Sequence, residues 1–455
     1  MPRPSILNSI ERKFILLIGD LGIVLLALNV FVNSAIDAEF ISMRLKIGVF
    51  TFGIFVYLSL AYILEFYSLE KVSRRRNIVA QSIYVTGLFV FLVFIFSVLI
   101  FDASFWRIPL LSFLLLTPVQ IGGWRLLFRN IFAVIPDSKN VLYIYDAHTF
   151  GSLREDIAII NGNEIKTFHK VKLTYSIEQD SSINKKFFLS AAGKIDTFII
   201  NTRNYNELPS DLEKLMLRSI VKGKEVISFT SFYENTYEAM PIRSHNDSFY
   251  ELLQLRNRKI RYLQLIFSFV MNFLLSLFVG LIFVLSIPFV FIGNLLFNKG
   301  PMFYTQKRVG LYGEEFKIYK FRSMVIDAEK EGAKMASSGD SRITPFGKVL
   351  RLFRIDELPQ IISVIKGDMQ FIGPRPERKV FVKEISKLTP YYNVRHLIRP
   401  GITGWAQVKF KYGQNLEDSV KKLEYDFYYI KNKSITLDLR IVLKTVTTVL
   451  FSRGI

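Results

Sequence analysis

The 455-residue chain contains no cysteine. That excludes disulfides, thiolate metal sites and a cysteine nucleophile, and it fits a reducing compartment. Histidine is almost as scarce. His148, His169, His245 and His396 are scattered, with no HExxH-type pair, so a zinc centre is not expected. Acid is in deficit: 39 Asp+Glu stand against 59 Lys+Arg, a net charge of +20. What abounds is apolar, with half of the chain hydrophobic and 42 Phe. Apolar spans with basic surfaces beside them fit a membrane protein whose cations meet anionic headgroups or phosphate-bearing substrates. A soluble nucleic-acid binder would not need so much Phe, and nucleic acid is not expected as a partner.

Four apolar runs occupy the first part of the chain, roughly Phe14–Val32, Ile47–Ile63, Ile78–Phe101 and Phe105–Trp124. Each is near the ~20 residues that cross a bilayer as a helix. The first is too long for a cleavable signal, and more spans follow it. Arg3, Arg12 and Lys13, then Lys71, Arg74, Arg75 and Arg76, then Arg125, Arg129 and Lys139 mark one side; only Arg44, Lys46 and Arg107 mark the other. The basic side stays cytoplasmic, so the N-terminus and everything after the fourth span are expected inside. Asp20 lies within the first span. An intramembrane carboxylate is a functional candidate by default, but this one lies near the cytoplasmic flank, where a structural pairing is the favoured reading.

Residues 140–245 read as a small α/β domain. Val141–Tyr145, Asp196–Asn201 and Glu225–Phe229 are strand-like; Ser152–Ile160 and Leu208–Ile220 are helix-like. Strands alternating with helices predict a parallel sheet. The turn after the first strand, Asp146-Ala147-His148-Thr149-Phe150-Gly151, has one glycine where a dinucleotide cradle needs several. A structural or oligomerising role is therefore favoured over nucleotide binding.

Tyr262 to Phe297 carries no charge. As one straight helix it would be about 54 Å long, against a hydrocarbon core of about 30 Å. Pro288 falls inside it, and a proline removes a backbone donor and clashes with the preceding turn. Arg256, Arg258, Lys259 and Arg261 lie before it; Lys299, Lys307 and Arg308 lie after it. Two basic flanks on an over-long, proline-interrupted run predict a re-entrant hairpin over 262–297, with a fifth crossing as the alternative.

Specific polar motifs crowd into the remainder. Thr344-Pro345 is a helix start, and Phe346, Val349, Leu350 and Phe353 follow as an apolar stripe suited to a membrane surface or to a core. Asp356 opens another short helix, with Pro359 in its first turn and Gly367 as its stop. A helix N-terminus favours a carboxylate as the anion, which a nucleophile must be. Alone, Asp356-Glu357 would be read as a cap. What favours chemistry is the set of separated cations in turn contexts: Lys320, Arg322, Arg342, Arg375 and Arg399. Arginine forks match phosphate oxygens.

The ordered motifs Lys320-Phe321-Arg322-Ser323-Met324, Asp356-Glu357-Leu358-Pro359-Gln360, Gly373-Pro374-Arg375-Pro376-Glu377 and Arg399-Pro400-Gly401-Ile402-Thr403-Gly404-Trp405 resemble those of the bacterial sugar transferases, the polyprenyl-phosphate hexose-1-phosphate transferases. The whole layout resembles the large, multispan branch of that family. The resemblance implies an α-helical transmembrane bundle over 1–135, a degenerate Rossmann-like α/β insert over 140–245, and a mostly α-helical catalytic domain with a re-entrant membrane helix over 256–455. It implies an enzyme on the cytoplasmic face of the bacterial inner membrane that moves a sugar-1-phosphate from a UDP-sugar to a polyprenol phosphate such as undecaprenyl phosphate. That is the first membrane step of exopolysaccharide, capsule or O-antigen assembly. By residue, Asp356 matches the nucleophile that forms an aspartyl phosphosugar and expels UMP. Glu357 matches its partner in proton or metal handling. Lys320 and Arg399 match basic residues that hold phosphates, Arg375 a basic motif position, Asp426 a further carboxylate near the site, and Pro288 the helix breaker; Arg322 and Arg375 are taken with them as substrate-binding candidates. The implied cofactor is Mg²⁺, with Asp356 and Glu357 as its protein ligands, and a homodimer is compatible with the resemblance. Departures lie in the basic lead Arg258-Lys259-Ile260-Arg261-Tyr262-Leu263 and in Arg354-Ile355 before the dyad. Asp327–Asp340 reads as a mobile lid or a plain surface loop, and Ile435–Phe451 as an amphipathic helix on the membrane. A non-enzymatic membrane scaffold and a glycosyltransferase releasing UDP are the competing readings.

Overall fold

A computed structural model describes residues 9–35, 43–67, 72, 75–131, 139–146, 153–162, 169–177, 194–202, 208–242, 262–328, 332, 340–410 and 416–450. They fall into two compact units, divided between Ser138 and Lys139.

The first unit is four helices, α1 (Ser9–Ala35), α2 (Met43–Ile63), α3 (Arg75–Ile100) and α4 (Arg107–Ile131). Within α1, α2 and α3, the stretches Glu11–Asn33, Lys46–Ile63 and Asn77–Phe96 are long and apolar enough to cross a membrane. In α4, Pro118, Gln120, Arg125 and Arg129 dilute the apolar run. Asp20 on α1 and Arg125 on α4 form a fully buried ion pair at 2.5 Å. Arg125 also donates to the Phe66 carbonyl (2.8 Å) and lies over the Phe66 ring. The expected structural role of Asp20 is what this geometry gives: one buried charge neutralised by one partner.

The second unit begins with a parallel four-stranded sheet. Its strands are β1 (Lys139–Tyr145), β2 (His169–Ser176), β3 (Thr197–Asn201) and β4 (Glu225–Ser228), in the order β2-β1-β3-β4. Side chains alternate across the pleat. Leu142, Ile144, Phe198 and Ile200 enter one core, closed by Leu212 and Met216 of α6 (Ser210–Val221). Val141, Tyr143, Tyr145 and Ile199 enter another. That second core also takes Ile160 of α5 (Leu153–Asn161) and Phe229 and Phe232 of α7 (Phe229–Tyr237). It continues into Trp405, Tyr425, Tyr429 and Ile441, so the sheet and the C-terminal motifs share one core. The strand β2 was not anticipated. Its lysines sit exposed at an edge and dilute the apolar signal.

Residues 262–297 form one helix, α8 (Tyr262–Phe297), with Pro288 inside it rather than at a break. Where the missing proline donor disturbs the ladder, the Ser286 hydroxyl donates to the Phe283 carbonyl (2.7 Å). One face of α8 packs on the rest of the unit along its length. The Gln264 amide donates to the Lys433 carbonyl (3.1 Å), and Asn272 accepts from the Phe371 N–H (2.9 Å). Met271, Leu275, Val279 and Phe283, then Ile287 and Val290, pack on two cores. The opposite face, including Phe269, Phe273, Leu277, Leu281 and Leu285, is exposed.

A hairpin follows, β5 (Phe303–Val309) paired antiparallel with β6 (Glu315–Phe321). Then come α9 (Pro345–Leu352), a 3₁₀ turn (Ile355–Gln360) and α10 (Ile361–Ile365), ending at Gly367 with φ +82°. Next are β7 (Gln370–Ile372), α11 (Lys379–Leu388), a 3₁₀ segment (Pro390–Leu397) and β8 (Gly401–Thr403). The unit closes with α12 (Trp405–Lys409), α13 (Leu416–Asn432) and α14 (Ile435–Leu450). The candidate lid over 327–340 lies mostly outside the described residues.

Candidate active site

Thr344 caps α9 as its sequence predicts, accepting from the Gly347 N–H (3.0 Å). Phe346 and Leu350 turn into the core, while Val349 and Phe353 of the same stripe stay exposed. The chain reverses at Arg354, a non-glycine residue with φ +55°, a conformation that costs on the order of 1 kcal/mol or more. This turn delivers Asp356 and Glu357 under strand β6.

The two carboxylates fare differently. Glu357 is gripped on both oxygens: Arg375 at 2.5 Å and Lys320 at 3.4 Å on one, Arg354 at 3.6 Å on the other. Burial pushes its carboxyl up, but Arg375 and Lys320 outweigh burial and hold it well below the usual carboxylate range. Asp356 is buried, and among the described residues it has no ion pair within 4.0 Å. Burial and the neighbouring Glu357 carboxylate push it up to about 6, against the pull of Lys320, Arg351 and Arg375. At neutral pH it is ionised but poorly neutralised, the condition of a reactive oxygen anion. Burial pushes the Lys320 ammonium down, opposed by Glu357.

The sequence-selected residues therefore divide. Asp356, Glu357, Lys320 and Arg375 converge. Arg322 turns to the C-terminal end of α8: its Nε donates to the Pro301 carbonyl (2.7 Å) and its two terminal nitrogens to Asn298, Asn294 and the Met324 carbonyl. That uses all five donors of the fork, so the structure makes it a cap for the apolar helix. Arg342 is committed to Asp340 (2.6 Å). Arg399 is exposed. Asp426 is buried one layer back, paired with Arg395 at 2.8 Å, and burial pushes it up to about 6. Arg395 in turn donates to the Arg375 carbonyl (2.8 Å). The motifs did not single out Arg351, Arg354 or Arg395. Arg351, which donates to the Ser323 hydroxyl (3.0 Å), and Arg354 lie off the apolar stripe just ahead of the dyad, and that placement was the available signal. For Arg395 there was none.

Among the described residues, no cluster of three or more Asp, Glu, His or Cys could cage a metal. With Glu357 held on both oxygens by cations, Asp356 is the carboxylate open to Mg²⁺ that arrives with a diphosphate, an ion that keeps its waters and phosphate oxygens. The donor set fits an ion shared with substrate.

Residues 263–452 match the model of the bacterial sugar transferase family. Over 157 residues the chain is 51% identical to a UDP-N-acetylgalactosamine-undecaprenyl-phosphate N-acetylgalactosaminephosphotransferase of Aeromonas hydrophila, covering 34% of this chain and 37% of the relative. Over 162 residues it is 43% identical to a UDP-glucose:undecaprenyl-phosphate glucose-1-phosphate transferase of Xanthomonas campestris pv. campestris, covering 35% and 34%. Over 155 residues it is 41% identical to the uncharacterized sugar transferase EpsL of Bacillus subtilis, covering 34% of this chain and 73% of that relative. The chain belongs to the bacterial sugar transferase family. Its match spans about a third of the length of the first two relatives.

Proposed function

We propose that this protein is a phosphoglycosyl transferase that moves a sugar-1-phosphate from a UDP-sugar to undecaprenyl phosphate through an aspartyl phosphosugar on Asp356. The observation that carries this reading is a buried, weakly neutralised Asp356 beside a Glu357 held by Lys320, Arg354 and Arg375. An Asp356 oxygen attacks the β-phosphorus, the bond from that phosphorus to the bridging oxygen breaks, and UMP leaves with the electron pair. An oxygen of the polyprenyl phosphate then attacks the same phosphorus and releases the carboxylate, giving a polyprenyl-diphosphate sugar. Arg375 is about a third exposed and Lys320 is a fifth exposed, so both can present donors to a diphosphate. Mg²⁺, held by Asp356 together with phosphate oxygens, would supply offsetting charge on the diphosphate.

In this reading α8, bent where Pro288 interrupts its hydrogen-bond ladder, dips into the membrane and returns to the face it came from. Support comes from its two ends: the Gln264 and Asn298 side chains both bond polar groups of the same unit, while the stretch between them is apolar, long enough to cross a membrane, and mostly exposed. The site then lies on the cytoplasmic side, where the basic flanks also point and where UDP-sugars are found.

The test is a UMP-release assay over a panel of UDP-sugars with undecaprenyl phosphate. UMP release with one phosphosugar mass on a peptide containing Asp356 is expected. Release of UDP instead would overturn the reaction class, and release of neither would leave a scaffold.

A further inference from the structure

The α/β insert ends in a segment, residues 229–242, that is built into the C-terminal motifs. Its helix α7 stops at Glu238, a non-glycine residue with φ +52°. Such a conformation persists where surrounding contacts hold it. Here the Trp405 indole N–H donates to the Glu238 carbonyl (2.8 Å), Arg440 binds one carboxylate oxygen (2.7 Å), and Lys409 binds the other. Trp405 is buried, with the Lys409 and Lys444 ammoniums 4.9 and 4.7 Å from its ring.

Two routes lead from this segment to Arg375. The first runs through Trp405. Its neighbour Gly404 lies so close to the Gly373 carbonyl that a Cβ would collide with it. The Gly373 N–H donates to the Thr403 carbonyl (2.9 Å), and the Gly401 N–H donates to the Pro374 carbonyl (3.0 Å). The strand after Arg399 is thus zipped backbone to backbone onto the arm bearing Arg375. The second route runs through α13. The Tyr233 hydroxyl donates to the Glu424 carboxylate (2.7 Å), the Ile242 N–H donates to the same carboxylate (3.3 Å), and the Met240 N–H donates to the Glu424 carbonyl (2.9 Å). Two residues on, Asp426 holds Arg395, which donates to the Arg375 carbonyl.

We infer that the insert is a brace for the phosphate-binding arm, with Glu238 and Tyr233 as positioning residues that act through Arg375. The inference rests on the proposed role of Arg375 toward the donor's phosphates. An arginine fork rewards exact placement of the backbone that carries it, because two parallel hydrogen bonds must form together.

The test is a double-mutant cycle on the full-length protein in detergent, read by equilibrium binding of UDP rather than by turnover. Glu238→Gln keeps the backbone carbonyl and removes both ion pairs. It is expected to weaken UDP about fivefold to tenfold with Arg375 present and less than twofold in the Arg375→Lys background. Tyr233→Phe, a milder change, follows the same pattern at about twofold to threefold. Hydrogen exchange in residues 370–377 and 400–405 is expected to quicken in Glu238→Gln, with α8 unchanged. Equal losses in both backgrounds, or no loss with either variant, would overturn the brace. So would unchanged exchange, an arm that judges the brace even if the wild-type protein binds no UDP. Absent UMP release by the wild-type protein counts against the proposed reaction, whereas normal release with indifferent variants counts only against the brace.

Discussion

Asp20 and Asp356 are both buried, and they stand in opposite electrostatic circumstances. Asp20 meets one arginine, Arg125, at 2.5 Å in a closed pair with no surplus charge. Asp356 sits beside a second carboxylate, and the surrounding cations, Lys320, Arg354 and Arg375, close on that neighbour instead. Charge parity belongs to a structural pair. A poorly neutralised anion beside partly exposed cations belongs to a site that waits for more negative charge. The contrast matters because both residues are the same acid in a chain short of acids.

The same substitution in the two places separates them most sharply. Asp356→Asn is expected to lower UMP release by about a thousandfold or more, since the proposed nucleophilic oxygen is lost. Its folded state should be no less stable. The folded Asp356 pKa lies above its unfolded value, so this group favours the fold below about pH 4 and loses that contribution as pH rises through about 6. Removing its charge at pH 7 therefore raises the thermal midpoint or leaves it unmoved, and a fall would break the comparison. Asp20→Asn strands Arg125 and should cost roughly 3–5 kcal/mol, read as a lower thermal midpoint, while the enzyme that remains folded keeps its rate constant.

Arg375→Lys comes next. Losing a charged, forked contact typically costs about 1.5–3 kcal/mol, so kcat/KM for the donor should fall roughly tenfold to a hundredfold. A pH profile gives a milder effect. With Asp356 required as the anion, UMP release should fall about tenfold per pH unit below 6, and a flat profile down to pH 5 would show that its ionisation does not limit the reaction. Smallest is the exposed pair Lys139–Glu225, 2.8 Å apart with both side chains nearly half exposed. Lys139→Ala should shift stability by less than about 1 kcal/mol, which sets the background for the Asp20 result.

The sequence made the apolar helices, the α/β insert and the dyad visible, each through a local signal: run length, alternation, or a motif at a helix start. Thr344 caps its helix as its neighbours predict. Direction was not legible. Lys320 and Arg322 are two residues apart in one motif, yet one reaches Glu357 and the other seals the end of α8. A strand's alternation would put them on one face, but β6 ends at Phe321 and the Arg322 side chain bonds groups at the C-terminal end of α8 instead. Arg342 and Asp426 were read as site candidates, but each is engaged by another partner: Arg342 by Asp340 two residues before it, and Asp426 by Arg395 on another element. The edge strand β2 escaped notice because Lys170, Lys172 and Thr174 face water and the two lysines dilute its apolar signal.

What the sequence determined by itself was composition, period and order: where the chain must be apolar, where a helix must start, and which family its motifs resemble. What only the tertiary structure decided was which cations share a carboxylate, and that the insert and the catalytic motifs close over one core. The physical reason is that run length and capping are properties of neighbours along the chain. Charge balance at a buried oxygen is set by groups that lie many residues away and are brought within a few ångströms by packing.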